Sequence, residues 1–362
     1  MSKLEKSPEL IDTIAEVKAL TDRELAIFFD LRASEAGKFD AQYKRLLQEM
    51  KKFSLRGGKR LRPFMAYLGY KLGGGRNDEA FARLALAWEV YHLGALIHDD
   101  IMDQDYQRYG GLNIAGVYER QLRRKFPEEV THKHALNAAL MAGDAAFLLA
   151  VELITTIPTE PEIRERLLAD FLKMHFRLVG GQFVEDFATL SSRQTPQQIR
   201  RIYVNKSGHY SMVAPLRSGA VLAGANDTIL SILERYGLHA GVAFQIADDL
   251  LGMFGSAKEI GKPTISDLRE GKRTLLMHYG LQFANDADRA IIKSKLGNKN
   301  INTQDLKQVR KILTDNGAKA KTIFTAQAEA DTAKKAISKL ALPGELPQLF
   351  MDLAEYIVNR TK

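Results

Sequence analysis

The chain has 362 residues, 45% hydrophobic and 27% charged, with ten prolines and no cysteine; it can bury a core, and it carries no disulfide, thiolate metal site or cysteine nucleophile. Fifty-two Lys and Arg against forty-four Asp and Glu leave a net charge of +8, which points to nucleic acid, an acidic membrane or a polyanionic small molecule as partner.

Residues 1–8 lack the apolar run of a secretory signal, and on this reading the chain is cytoplasmic. From Leu10 to the C-terminus, apolar residues recur at three- and four-residue intervals, alternating strand patterns are nearly missing, and no Pro/Gly/Ser-rich linker interrupts them. One all-α domain over 1–362 is the expectation. Helices are predicted over 80–98, 136–155, 161–178 and 231–249. Breaks are predicted at Gly57-Gly58, Gly73-Gly74-Gly75, Gly110-Gly111, 158–161, 224–227 and Gly261-Lys262-Pro263. Residues 138–157 are long enough to span a bilayer, but Asp144 and Glu152 favour a buried soluble helix over insertion.

Asp99 and Asp103, four residues apart, share one helix face and can hold a hard cation together, while Asp100 points aside. The striped helix before them, 84–97, delivers these acids to the mouth of an apolar interior, a costly place for carboxylates unless they are neutralised. Asp248-Asp249 ends a second apolar helix, 236–247, in the same way. Oxygen-only ligands in an incomplete shell suit Mg²⁺, which takes its remaining ligands from water and substrate phosphate.

Basic residues in glycine-rich settings strengthen the phosphate reading: Gly57-Gly58-Lys59-Arg60-Leu61-Arg62-Pro63, Arg108, Lys206-Ser207, Gly261-Lys262 and Gly271-Lys272-Arg273-Thr274. None has the spacing of a nucleotide P-loop. Interleaved with the acids, the set predicts a diphosphate site.

These motifs, taken in order, resemble the trans-isoprenyl diphosphate synthases of the polyprenyl synthetase family, most closely the geranylgeranyl and farnesyl diphosphate synthases. The resemblance runs over about 46–360. It rests on Gly-Gly-Lys-Arg-Leu-Arg-Pro, His92 before Asp-Asp-Ile-Met-Asp, Gly143-Asp144, Gly181-Gln182, Lys206-Ser207, Phe244-Gln245-x-x-Asp-Asp and Gly-Lys-Pro. It implies an all-α domain around a central apolar cavity, and a reaction in which an allylic diphosphate ionises and is attacked by isopentenyl diphosphate. It also implies three Mg²⁺, two held by Asp99 and Asp103 and one by Asp248. By the same resemblance Arg108, Lys206 and Lys262 bind the allylic diphosphate, Gly58, Lys59, Arg62 and His92 line the isopentenyl diphosphate site, and dipoles near Lys206, Ser207 and Gln245 face the allylic cation. The departing diphosphate takes the proton, so no side-chain base is needed, and a homodimer is implied. Three positions depart from the pattern: Tyr109 stands where a second Arg is usual, Gly252 where a third Asp is usual, and Ser256 where Asp often follows Gly255.

The resemblance runs the growing chain down the helix before Asp99. Positions four, eight and eleven back, Ala95, Tyr91 and Trp88, share one face, with Gly94 alongside. Small residues in the first turn and aromatics deeper predict geranylgeranyl diphosphate, with farnesyl or longer products as the alternatives. A terpene cyclase is disfavoured by Phe-Gln-Ile-Ala-Asp-Asp at the second site, and a non-catalytic subunit of a heteromeric synthase by retention of Asp99, Asp103, Asp248, Lys206 and Lys262. Nucleic-acid binding lacks aromatic interleaving. The basic residues of 300–342 read as solvated helix faces.

Overall fold

A computed structural model describes residues 7–190, 194–255, 265–340 and 344–359. It is all-α: the two-residue strands β1 (Gln107–Arg108) and β2 (Gly111–Leu112), paired antiparallel, are the only strands among the described residues. The predicted break at Gly261-Lys262-Pro263 lies outside the described residues. The chain divides into two compact units, one of Ile11–Leu168 with Ser218–Gly224, the other of Met1–Leu10, Ala169–Arg217 and Ala225–Lys362.

The first unit holds most of α1 (Pro8–Phe39), then α2 (Ala41–Leu55), α3 (Leu61–Leu72), α4 (Asp78–Met102), the β1–β2 hairpin, α5 (Ile114–Leu122), α6 (Glu128–Thr155) and the first turns of α7 (Pro161–Ala188). Asp40, Asn77 and Asn113 cap α2, α4 and α5 by accepting backbone N–H bonds, each worth ~1 kcal/mol. α4 is buried almost all round, including Leu84, Trp88, Tyr91 and Ile97. Against it α6 lays a stripe of buried alanines, Ala135, Ala139, Ala142, Ala146 and Ala150, whose small side chains let the two axes come close.

Arg60 fastens the start of α3. It is 4% exposed, its backbone is left-handed at φ 53°, and its guanidinium donates at 2.7 Å to each of Asp22 Oδ1, Glu89 Oε1 and Ser54 O. One buried cation thus ties α1, α2 and α4 to the loop that carries Lys59 and Arg62.

The second unit holds the rest of α7, then α8 (Pro196–Ile202), a π-helical segment (Tyr203–Val213), the start of α9 (Ala214–Leu222), α10 (Asp227–Phe254), α11 (Ser266–Glu270), α12 (Leu275–Phe283), α13 (Asp286–Lys295), α14 (Thr303–Asp315), α15 (Ala318–Ile337) and α16 (Leu346–Asn359). Thr195, Asn226, Thr274, Asn285 and Asn302 cap α8, α10, α12, α13 and α14. The helix predicted over 161–178 continues to Ala188 through Gly180-Gly181. A Cβ on Gly181 would lie 2.6 Å from the backbone nitrogen of Lys206, and one on Gly241 in α10 2.4 Å from Gly208 Cα. These glycines mark close approach of the π-helical segment to α7 and α10, rather than turns.

Replacing Arg60 by Met removes the common partner of two acids, one of them buried. The variant is expected to lose ~3 kcal/mol or more of stability in urea denaturation. In the second unit, burial and then Arg177, Lys173 and Arg217 press His209 down to about 4, from an ordinary 6.5. The ring is neutral when folded and takes up a proton more readily when unfolded. Stability from this group is complete above pH 6.5 and is lost as pH falls toward 4. Urea midpoints measured across that interval are expected to fall less steeply in His209→Gln than in the parent.

Candidate active site

α4 ends in Asp99, Asp100 and Asp103 with no basic residue in its last turn, so three carboxylates gather at the negative end of a helix dipole. Arg108, in β1, offsets part of that charge. Its Nε donates to Asp100 Oδ1 at 2.7 Å, and its Nη2 lies 2.6 Å from the same oxygen and 3.1 Å from Asp99 Oδ2. Burial works against the charge on Arg108, but Asp100 and then Asp99 outweigh it and raise its pKa above the ordinary value. Asp100, expected to point aside, is 2% exposed and forms the floor of this arrangement. A helix end this apolar offers Asp100 no route to water, so it takes the cation instead. Asp99 and Asp103 stay half-exposed, one turn apart, with the Asp103 N–H donating to Asp99 O at 2.8 Å.

His92 lies two turns before Asp99. Burial, then Arg62, Arg108 and Arg60, hold its pKa well below the ordinary value, so the ring is a neutral group inside a positive field. The fold therefore brings Arg62, His92 and Arg108 together, as an anion site requires. Arg60, the second of the three cations in the glycine-rich motif, is the structural anchor described above. Gly58 adopts φ 101°, and Lys59 beside it is exposed. A Cβ on Gly57 would lie 2.8 Å from the Tyr109 ring, which also sits 6.4 Å from the ring of Phe53. At position 109 an aromatic has been packed into the loop where the resemblance has a cation.

Trp88 and Tyr91 are each 1% exposed; Trp88 Nε1 donates to Ser218 Oγ at 2.8 Å, and Tyr91 packs on Phe147 of α6 with centroids 4.9 Å apart. The space beside Gly94 is taken up by α6: a Cβ there would lie 3.1 Å from both Gly143 O and the Phe147 ring. Ala95, by contrast, is half-exposed.

In the second unit α10 repeats the pattern. Asp248 is exposed and Asp249 is buried. Tyr203 Oη donates to Asp249 Oδ2, Gln245 Nε2 donates to Oδ1 at 2.9 Å, and Ser207 Oγ donates to Gln245 Oε1. The Gln245 amide is thereby fixed at both ends. Burial pushes the Asp249 carboxyl up to about 8, against the two hydrogen bonds that favour its charged form. Lys206 pairs with Glu185 of α7. At Gly252 the missing third carboxylate has a counterpart: a Cβ there would lie 2.1 Å from Asp267 Oδ2, so α11 sets an acid where the motif lacks one. Lys262 and Ser256 lie outside the described residues.

Glu185, Tyr203, Asp267 and Phe147 went unread in the sequence because each comes from a separate element and carries no motif of its own. The donor sets suit Mg²⁺: solvent-reaching carboxylates toward the C-terminal ends of apolar helices, where Arg108 offsets only part of the negative charge beside Asp99. Among the described residues no three His, Asp or Glu side chains form a metal-holding group by themselves. Replacing Tyr203 by Phe leaves buried Asp249 without its hydroxyl donor and the Leu275 N–H, 3.0 Å from that hydroxyl, without its acceptor. A loss of about 1–3 kcal/mol is expected in urea denaturation.

The family model for polyprenyl synthetase matches residues 44–313. The chain is 31% identical over 315 residues to a geranylgeranyl diphosphate synthase of Sulfolobus acidocaldarius, covering 84% of this chain and 88% of that one. It is 33% identical over 324 residues to a geranylfarnesyl diphosphate synthase of Aeropyrum pernix, covering 84% and 91%. The crystal structure of a geranylgeranyl pyrophosphate synthase from Corynebacterium glutamicum, complexed with isoprenyl diphosphate and magnesium, superposes with a TM-score of 0.90 at 25% identity, over 96% of this chain and 99% of that one.

Proposed function

The chain belongs to the polyprenyl synthetase family and is a trans-isoprenyl diphosphate synthase, and from that premise we propose that it makes geranylgeranyl diphosphate. Arg62 and Lys59, beside Gly58 and neutral His92, hold isopentenyl diphosphate; Arg108, Lys206 and Lys262 hold the allylic diphosphate. The observation that carries this reading is the split within each Asp pair. Asp100 and Asp249 are buried in the framework, which fixes the backbone, while Asp103, Asp248 and Asp99, the last of which also meets Arg108, reach solvent. Three Mg²⁺, two on Asp99 and Asp103 and one on Asp248, would supply neutralisation of the leaving diphosphate's charge. Asp267 is the further carboxylate available beside Gly252. Ser207 and Gln245 present oriented dipoles to the developing allylic cation, and the bonds from Ser207 to Gln245 and from Gln245 to Asp249 keep them from reorienting as charge forms. The proton leaves with the diphosphate, so neutral His92 has no base to be.

We also propose that one polyprenyl synthetase domain accounts for the chain, that it works in the cytoplasm without membrane insertion, and that it forms a homodimer. α4 and α6 are long and apolar enough to cross a bilayer, but α6 carries Asp144 and Glu152, and 72% of the apolar window of α4 is buried inside the protein. Exposed apolar side chains in each unit support self-association: Leu148 on α6 at 72% in the first, and Phe176 and Phe183 on α7 at 81% and 59% in the second.

Purified protein with Mg²⁺, isopentenyl diphosphate and each allylic primer in turn is expected to yield geranylgeranyl diphosphate on chromatography. Tyr91→Ala should lengthen the product by removing the ring that meets Phe147, and Ala95→Phe should shorten it by plugging the first turn. An unchanged product distribution in both variants overturns the chain-length assignment; absence of any condensation overturns the catalytic one.

A further inference from the structure

Most of the net charge lies in a stretch that prenyl transfer leaves unused. Residues 293–321 contain eight Lys or Arg against only Asp305 and Asp315, a surplus of six out of the chain's +8. The two acids are already neutralised, Asp305 by Lys295 at 2.6 Å and Asp315 by Lys311. Arg310 is occupied by the carbonyls of Met253 and Gly255, and the Lys319 ammonium sits 4.2 Å from the centroid of the Phe254 ring. Lys293, Lys299, Lys307 and Lys321 remain, all exposed and outside any ion pair among the described residues.

Lys293, Lys307 and Lys321 stand on three successive helices and Lys299 in the connection between the first two, each exposed. Ile292 of α13, Leu306, Val309 and Leu313 of α14 and Ala318 of α15 pack into one shared core. Lys293 follows the buried Ile292, Lys307 lies on the face of α14 opposite Val309, and Lys321 lies on the outer face of α15, one turn before Phe324. Phe324 is 66% exposed and Ile323 49%, and the Lys321 ammonium lies 5.3 Å from the centre of the Phe324 ring. Asp286 and Asp288 border the patch at the start of α13.

We propose that this face, formed by α13, α14 and the first turns of α15, docks the protein reversibly on an anionic lipid surface. Unpaired lysines supply attraction to acidic headgroups, and Phe324 with Ile323 supplies apolar side chains that can enter the interface. A nucleic acid would satisfy the charge but offers no apolar layer for both of these residues, so the bilayer fits the whole patch. None of Lys293, Lys299, Lys307, Lys321, Ile323 and Phe324 is among the residues assigned to substrate, so the role of this face is testable separately from the choice of product.

Sedimentation with vesicles of phosphatidylcholine alone, and of phosphatidylcholine mixed with phosphatidylglycerol, tests this directly. The full chain is expected to bind only the mixed vesicles and to be released by high salt. At about fivefold per cation, Lys307→Gln with Lys321→Gln should weaken partitioning about 25-fold. Phe324→Ser should weaken it without altering retention on duplex DNA. The same charge change in the other unit, Arg124→Gln with Lys133→Gln, should alter vesicle binding by less than about fivefold. All variants should keep the prenyl-transfer rate and the helical circular dichroism of the parent. The proposal is overturned if the parent ignores mixed vesicles, if the control pair weakens binding as much as the patch pair, or if duplex DNA is bound in preference to the mixed vesicles.

Discussion

Two apolar helices that carry paired aspartates toward their C-terminal ends pose an electrostatic problem that the surrounding residues answer. Carboxylates there face the negative end of the helix dipole and a low-dielectric interior at once, and α4 and α10 both lack a basic residue in the last turn. The two units reach parallel solutions with different chemistry. Asp100 is buried against the Arg108 guanidinium and stays with a permanent charge beside it. Asp249 is buried against neutral donors, Tyr203 and Gln245, and its proton is held far more tightly than that of an ordinary carboxyl. In both cases the buried member has a neighbour, Asp99 or Asp248, that reaches further toward solvent. A binding carboxylate can then be open and yet well placed, because the adjacent residue fixes the backbone.

The same economy governs the cations around His92. A positive pocket for a diphosphate is unstable without its ligand unless its members are held apart from one another by other contacts. Arg60 is held by Asp22, Glu89 and the Ser54 carbonyl, and Arg108 by Asp99 and Asp100. Burial and these arginines keep His92 neutral, so it adds no further positive charge. Tyr109 extends this logic: a residue with a left-handed backbone at φ 54° fills the gap between Gly57 and Phe53, trading a charge for packing that steadies the loop.

Motif spacing, helical periodicity and composition made the all-α class, the long helices and the open carboxylates legible in the sequence. Asp99 and Asp103 follow from i and i+4, a purely local rule. What escaped was whatever depends on a partner distant in sequence. Asp100 was misplaced because helix phase gives direction without saying that Arg108 returns to it from a hairpin. Gly94 looked like open space, since nothing in its own helix announces that Phe147 and Gly143 approach from α6. The helix expected to stop at 178 runs on to Ala188, and the missing Cβ of Gly181 within it admits the backbone of Lys206. Asp267 and Glu185 carry no pattern at all, and only the folded chain sets them beside Gly252 and Lys206.

Net charge misled in a related way. A value of +8 describes the whole chain, whereas electrostatic attraction acts through charges that are close together and not already paired. In the glycine-rich loop and around His92 the cations are balanced locally by Asp22, Glu89, Asp99 and Asp100, so the substrate-binding end contributes little to the surplus despite its density of arginine. Most of the surplus comes from 293–321, where four lysines face solvent outside any ion pair among the described residues and one of them, Lys321, lies beside exposed Phe324. The two populations obey different requirements. Residues that bind a small polyanion need fixed geometry, hence partners that hold them; residues that meet an extended charged surface gain by remaining mobile and unpaired, because many weak contacts add without any one having to be exact.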